Sequence, residues 1–147
     1  MIANFKHITG KKTVLLLAED NKGHAGLIRM NLKRSSFRKT IIHFLDGQEI
    51  LNFFYMKGKK PHRERDVFYI LLLDIRMPKV DGIEVLRQIK QDVNLNQMPV
   101  IMTTTTENPE TMEECYDLGC DQYIVKPVDY NEFAKTFQEL GTYIKQF

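Results

Sequence analysis

Asp74 directly follows seven consecutive apolar residues, Val67 to Leu73. A run of this character fits a strand buried on both faces, as the middle of a parallel sheet requires. A carboxylate at the mouth of such a strand is costly to desolvate, so it calls for a partner cation, a catalytic role, or both. Three other apolar runs end in polar groups in the same way. Val14 to Ala18 ends in Glu19-Asp20, Pro99 to Met102 in the threonines 103 to 106, and Gln122 to Val125 in Lys126. Three carboxylates in one small cleft cannot all stay ionised without cations. A divalent ion with oxygen ligands answers this, and Mg²⁺, which uses few carboxylates and keeps several waters, fits the supply. Such a site suits phosphoryl transfer to a carboxylate, because metal and lysine together neutralise the charge that spreads over the transferred oxygens. Asp74 stands alone at its strand end and is the preferred nucleophile, whereas the adjacent Glu19 and Asp20 are better placed to hold metal. A threonine hydroxyl would donate to the product phosphoryl oxygen. Taken singly, each carboxylate is a commonplace cap or turn former; jointly, with a lysine and a threonine at matching strand ends, they read as a site.

The elements that must position these groups alternate along the chain. After the strand at 13 to 18, Asn21 caps a helix with Ala25, Ile28 and Leu32 on one face, ended by Ser35-Ser36. A strand at 40 to 45 and a turn at Asp46-Gly47 lead to a helix over 48 to 56, with Ile50, Leu51, Phe54 and Tyr55 inward. The segment 58 to 66, GKKPHRERD, is a surface loop rich in Lys and Arg, a solvated connector before a docking site for an acidic partner. Pro78 stops the central strand, and Asp81-Gly82 launches a helix with Ile83, Leu86 and Ile89 buried. Asn108 caps the next helix, with Pro109 at its first position, Met112, Cys115 and Tyr116 inward and Gly119 as its stop. Asp129 and Glu132 resemble a capping box for a last helix that packs through Phe133, Phe137, Leu140 and Ile144. Five strands alternating with helices mean an α/β fold: a parallel sheet with helices on both faces and right-handed crossovers. Ligands of such sheets bind at the carboxyl ends of the strands, where four of the five place a polar residue.

The bulk properties bound the rest. At 147 residues the chain suits one domain. Its 21 basic and 19 acidic residues give no field that argues for nucleic acid. The apolar runs fall far short of the ~20 residues that span a bilayer, and residues 1 to 12 lack the apolar core of a signal peptide. The expectation is a cytoplasmic protein, with a polar leader over 1 to 12, one domain over 13 to 147, and neither nucleic acid nor membrane as partner. Cys115 and Cys120 read as reduced structural thiols, since a zinc site wants more ligands at shorter spacing. His7, His24, His43 and His62 share no metal-ligand spacing and receive no catalytic role.

The motifs LLLAEDN at the first strand, LLLDIRMPKVDG at the third, MPVIMTTT at the fourth and QYIVKP at the fifth resemble the receiver domain of two-component response regulators. The resemblance covers residues 13 to about 144. It implies a doubly wound five-stranded sheet of flavodoxin-like order 2-1-3-4-5, and an Asp74 that accepts a phosphoryl group from a sensor histidine kinase. It implies that Glu19, Asp20, Asp74 and the backbone carbonyl of Arg76 hold Mg²⁺, that Thr104 is the switch hydroxyl and that Lys126 contacts the phosphoryl group. Thr103 and Thr105 remain lesser candidates for the switch. Tyr123 occupies the aromatic switch position, and the bond before Pro127 is expected to be cis. Arg76, two after the acceptor, would overlook the cleft, shielding the acyl phosphate from water or pairing with a neighbouring carboxylate. With the chain ending at Phe147 no output domain is expected, so output goes through a downstream protein or phosphorelay carrier. The basic loop makes the chain look most like the small stand-alone regulators that pair with phytochrome-type kinases. Tyr143 and Phe147 would either extend a homodimer interface or pack the last helical turn.

Two rival enzyme-like readings fail on missing motifs. A phosphatase of the haloacid dehalogenase type needs a second Asp two residues after the nucleophile, and here that residue is Arg76. A nucleotide-binding module needs a GxGxxG or P-loop turn, which EDNKGHAG is not. The expectation is therefore a phosphoacceptor that is not otherwise an enzyme, with a phosphorylation-independent adaptor on the same fold as the alternative.

Overall fold

In the computed structural model, residues 12–147 are described; the polar leader read over 1 to 12 lies outside them but for Lys12, which already belongs to the first strand. The strands are β1 (Lys12–Ala18), β2 (Thr40–Phe44), β3 (Val67–Asp74), β4 (Val100–Thr104) and β5 (Gln122–Val125). The helices between and after them are α1 (Lys22–Arg34), α2 (Gly47–Phe54), α3 (Gly82–Gln91), α4 (Pro109–Leu118) and α5 (Tyr130–Ile144). All strand pairs are parallel and the order is β2-β1-β3-β4-β5, as the resemblance implies.

Alternation along the strands divides the apolar residues between two layers. Leu15 and Leu17 of β1, Ile70 and Leu72 of β3 and Ile101 of β4 face α1 and α5. Leu16, Ala18, Leu71, Leu73, Val100 and Met102 face the opposite way, onto α2, α3 and α4. β1 and β3 are covered on both sides, which is why their sequences are continuously apolar. Each helix starts where a short polar side chain offers an acceptor. Asn21, Asp46, Asp81, Asn108 and Asp129 each receive a backbone N–H from the first turn of the helix they open. Gly119 adopts φ 106° and ends α4, a left-handed conformation that favours glycine.

Some inward assignments need correction. Tyr116 is 47% exposed, because α4 buries only Cys115 and the next residue lies about 100° further round the helix. Phe53 is fully enclosed, edge-on to Phe44 and Tyr69, and belongs to the core with Phe54. Phe147 is buried, its ring 6.3 Å from Phe68, so the last turn packs on the domain; Tyr143 alone of that pair stays partly exposed. The basic loop is pinned down rather than simply solvated. Arg63 donates from Nε to the Phe54 carbonyl at 2.6 Å, and the Glu64 N–H reaches the Tyr69 hydroxyl at 2.9 Å. Among the described residues the one cis peptide bond is Lys60–Pro61. The bond before Pro127 is trans, against expectation; trans is the ordinary form of an X–Pro bond, and Lys126 reaches its partners without the cis form.

Candidate functional site

The carboxyl ends of β1, β3, β4 and β5 form one edge of the sheet, and the polar residues that end those strands meet there. A carboxylate oxygen from each of Glu19, Asp20 and Asp74 lies within 4.8 Å of the others. Glu19 and Asp74 are buried and Asp20 is exposed at the rim. The alternation that sends Leu15 and Leu17 toward α1 and α5 sends Glu19 the same way, and Ile70 and Leu72 predict the same face for Asp74. Lys126, 4% exposed, makes an ion pair with Glu19 Oε1 and places its Nζ 3.5 Å from Asp74 Oδ2.

Burial is the largest influence on Asp74 and pushes its carboxyl up to about 7. Lys126 opposes the rise, while the nearby Glu19 and Asp20 charges add to it. One lysine therefore does not balance three carboxylates. The donor set suits a hard divalent ion: three carboxylates converge, and the Arg76 carbonyl accepts no hydrogen bond among the described residues. The loop that carries this carbonyl folds tightly back on the strand. Gly82 N–H donates to the Ile75 carbonyl at 2.7 Å, and a Cβ on Gly82 would overlap the Asp74 carbonyl oxygen. Gly47 is pressed against Val80 in the same manner, and Lys79 pairs with the α2 cap Asp46 at 3.4 Å. The start of α2 thus braces the segment that follows Asp74.

The threonine run resolves residue by residue. Thr103 is the register partner of Asp74, and its hydroxyl is buried without a hydrogen-bond partner. Thr104, also buried, accepts at Oγ1 from the Thr106 N–H at 3.2 Å, and Thr105 is exposed. Tyr123, half-buried on β5, donates from its hydroxyl to the Thr106 carbonyl at 3.3 Å, linking it to the loop after the threonines. The Arg76 side chain is exposed and makes no ion pair among the described residues, so the expected pairing with a neighbouring carboxylate is not formed.

Two histidines that no spacing in the sequence singles out touch the site. His43 of β2 places Nε2 2.7 Å from the Glu19 carbonyl, and His24 of α1 places Nδ1 3.5 Å from Lys126 Nζ. Neither contact has a spacing signature, since 24 and 102 residues separate the partners. Cys115 and Cys120 are free and buried, and burial raises their thiols to about 11 and about 12, in keeping with unreactive structural cysteines. No helix among the described residues is long and apolar enough to cross a membrane.

Comparison with known proteins agrees with this geometry. The family model described as "Response regulator receiver domain" matches residues 15–138. The probable methanogenesis regulatory protein FilR2 of Methanothrix harundinacea is 33% identical over 88% of this chain and 82% of its own length. Response regulator Rcp1 of Synechocystis is 32% identical over 88% of this chain and 87% of its own. Among solved structures, a receiver domain from Rhodospirillum rubrum has 34% identity and a TM-score of 0.82, covering 91% of this chain and 94% of that one. The Mn²⁺-bound form of Rcp1 follows at 30% and 0.80, covering 89% and 93%. The phosphorylated cyanobacterial phytochrome response regulator RcpA stands at 29% and 0.79, covering 88% and 91%. The chain belongs to the response regulator receiver domain family and is a protein of two-component signalling.

Proposed function

We propose that Asp74 is the phosphoacceptor of this receiver and that its donor is the phosphohistidine of a sensor kinase. In that transfer the P–N bond to the donor imidazole breaks, a P–O bond to an Asp74 carboxylate oxygen forms, and the histidine nitrogen keeps the electron pair. The observation that carries the reading is the convergence of Lys126 and the two carboxylates that follow the neighbouring strand β1, Glu19 and Asp20, on Asp74 at the end of the central strand. Glu19, Asp20, Asp74 and the Arg76 carbonyl would hold Mg²⁺, which neutralises charge on the transferred oxygens. Lys126 shares that role, and the Thr104 hydroxyl is the group that turns to the new phosphoryl oxygens.

The signal leaves through Tyr123. A phosphoryl group brings nearly two negative charges and new acceptors, which draw Thr104 and Lys126 inward and free the space into which Tyr123 turns. The surface of α4, β5 and α5 then changes for a downstream partner or a second copy. The likeness to the phytochrome response regulator RcpA makes a phytochrome-type kinase the first donor to try, in the cytoplasm. Arg76 beside the acceptor sets the phosphoryl lifetime, so Arg76→Ala alters the decay rate without altering the fold.

Intact-protein mass after incubation with acetyl phosphate tests the acceptor. One phosphoryl group is expected on the wild type with Mg²⁺, and none on Asp74→Asn or with EDTA. Uptake by Asp74→Asn would move the acceptor elsewhere. No uptake from acetyl phosphate or from a cognate kinase would leave the receiver fold serving as an adaptor.

A further inference from the structure

A lysine head has three N–H donors and no acceptor. The Lys126 ammonium has three neighbours to receive them: Glu19 Oε1, Asp74 Oδ2 at 3.5 Å and His24 Nδ1 at 3.5 Å. Because the ammonium only donates, a hydrogen bond across this contact requires Nδ1 of His24 as the acceptor, with the ring proton on Nε2. His24 lies in the first turn of α1, half-buried, with its ring centroid 6.0 Å from that of Phe133 on α5. Phe133 is itself buried and packed 4.7 Å from Phe137. The imidazole is therefore held by the layer of α1 and α5 and not by the carboxylates.

Glu19 pairs with one cation and is a candidate ligand for a second. Its Oε1 holds Lys126 and its Oε2 accepts from the Asn21 N–H at 3.1 Å, yet the same carboxylate is one of the three that converge as a ligand set for a divalent ion. An ion of twice the charge draws that carboxylate and weakens its bond to the ammonium. A lysine released from Glu19 would keep only Asp74, itself in the candidate ligand set, as a carboxylate acceptor, and without a further anchor its four-carbon stem would let it swing. We propose that His24 is a positioning residue: it keeps the Lys126 ammonium over Asp74 when the ion takes Glu19, so that the lysine is in place as the phosphoryl group arrives. This rests on the reading of Asp74 as acceptor. The distance of 3.5 Å is long for a hydrogen bond to an ammonium, and Glu19, the nearer acceptor, competes for it.

Long-range ¹H–¹⁵N spectra of the histidine rings read the contact without phosphoryl chemistry. His24 is expected as the Nε2–H tautomer, with an Nδ1 resonance that Mg²⁺ moves further toward a hydrogen-bonded position. In Lys126→Met that resonance should sit at the free-ring position and ignore Mg²⁺. A proton on Nδ1, or one Nδ1 position shared by wild type and Lys126→Met, overturns the proposal. In a second arm, His24→Leu at saturating Mg²⁺ takes up phosphoryl from acetyl phosphate about tenfold more slowly, the loss expected of one hydrogen bond to a charged group. His24→Asn, whose amide oxygen accepts, recovers most of that rate. Equal uptake by wild type and His24→Leu overturns the proposal too. If the wild type takes up nothing from acetyl phosphate or from a cognate kinase while the ring signals behave as stated, the acceptor reading of Asp74 falls and the His24–Lys126 contact stands.

Discussion

Asp74 Oδ2 and Lys126 Nζ stand 3.5 Å apart although the strands that carry them are not neighbours. β4 lies between β3 and β5, so the two backbones are roughly 10 Å apart at the usual strand spacing, and the lysine stem crosses over β4 to close the gap. Its ammonium meets Glu19 as well, from β1 on the far side of β3. A single flexible side chain thus ties together the ends of three strands, and it lies across the strand that carries the threonines.

Breaking that tie leaves a buried anion without its cation. Glu19 is 1% exposed, and removing one partner of a buried pair costs about 3–5 kcal/mol. Lys126→Met is expected to lose that much stability in EDTA at neutral pH, and Mg²⁺ should restore part of it by facing the same carboxylates. Urea unfolding with and without Mg²⁺ measures both effects. Equal midpoints for wild type and Lys126→Met in EDTA would show that the buried pair adds no net stability to the fold.

The pH dependence of stability has a definite sign. In the folded protein burial raises the Asp74 carboxyl to about 7, whereas the unfolded chain releases its proton near the ordinary 3.8. Between those values the folded state holds a proton that the unfolded state has lost, so this group makes stability fall as pH rises through the window. Asp74→Asn removes the effect. In EDTA the variant should match the wild type below pH 4 and exceed it at pH 8 by on the order of 2 kcal/mol, allowing for solvent screening. Denaturation midpoints across pH 4 to 8 decide it; two parallel curves would mean that Asp74 titrates alike in both states.

The layers of the fold were readable because burial writes itself into composition. Val67 to Leu73 reads as a doubly covered strand and is one over most of its length, and Asn21, Asp81, Asn108 and Asp129 open helices where their short side chains said they would. The convergence of Glu19, Asp20, Asp74 and Lys126 followed from one rule, that parallel strands bring their carboxyl ends to one edge. Contacts that depend on how a helix turns against the sheet left no trace. His24 reaches Lys126 only because α1 and α5 pack side by side, and Tyr116 points outward because α4 buries a single residue. The brace between Gly47 and Val80 is a backbone approach that no periodicity encodes. The bond before Pro127 was expected cis from resemblance alone, with nothing in the local residues to demand it.

Thr103 and Thr104 separate by substitution. The Thr103 hydroxyl is buried without a partner, and such an orphan costs about 1–3 kcal/mol, so Thr103→Val should leave stability unchanged or raise it by about 1 kcal/mol. Thr104 already accepts from the Thr106 N–H, so Thr104→Val should lose about 1 kcal/mol and blunt the response to phosphorylation. Thermal unfolding gives the stabilities. If Thr103→Val is the less stable of the two, its hydroxyl has a water or other partner in solution.

Tyr123 connects the loop after the threonines to the face through which a receiver would speak. Its hydroxyl donates to the Thr106 carbonyl, and its ring packs against the layer that holds Cys115 of α4. In the proposed switch, phosphorylation at Asp74 would act on Thr104, two residues before that carbonyl, and movement of the loop would either carry the tyrosine with it or break the hydrogen bond. Tyr123→Ala removes this link but touches none of the groups proposed to hold metal or the phosphoryl oxygens. Phosphoryl uptake should therefore stay within about twofold of the wild type, since the change lies away from the reacting atoms. In the wild type, phosphorylation is expected to change hydrogen exchange at the amides of residues 106 to 118, and Tyr123→Ala should lose that change. Hydrogen exchange on phosphorylated and unphosphorylated protein reads the second effect and intact mass the first. A variant that fails to take up the phosphoryl group would place Tyr123 in the acceptor chemistry. One that is phosphorylated and keeps the full change in exchange would route the signal through another side chain.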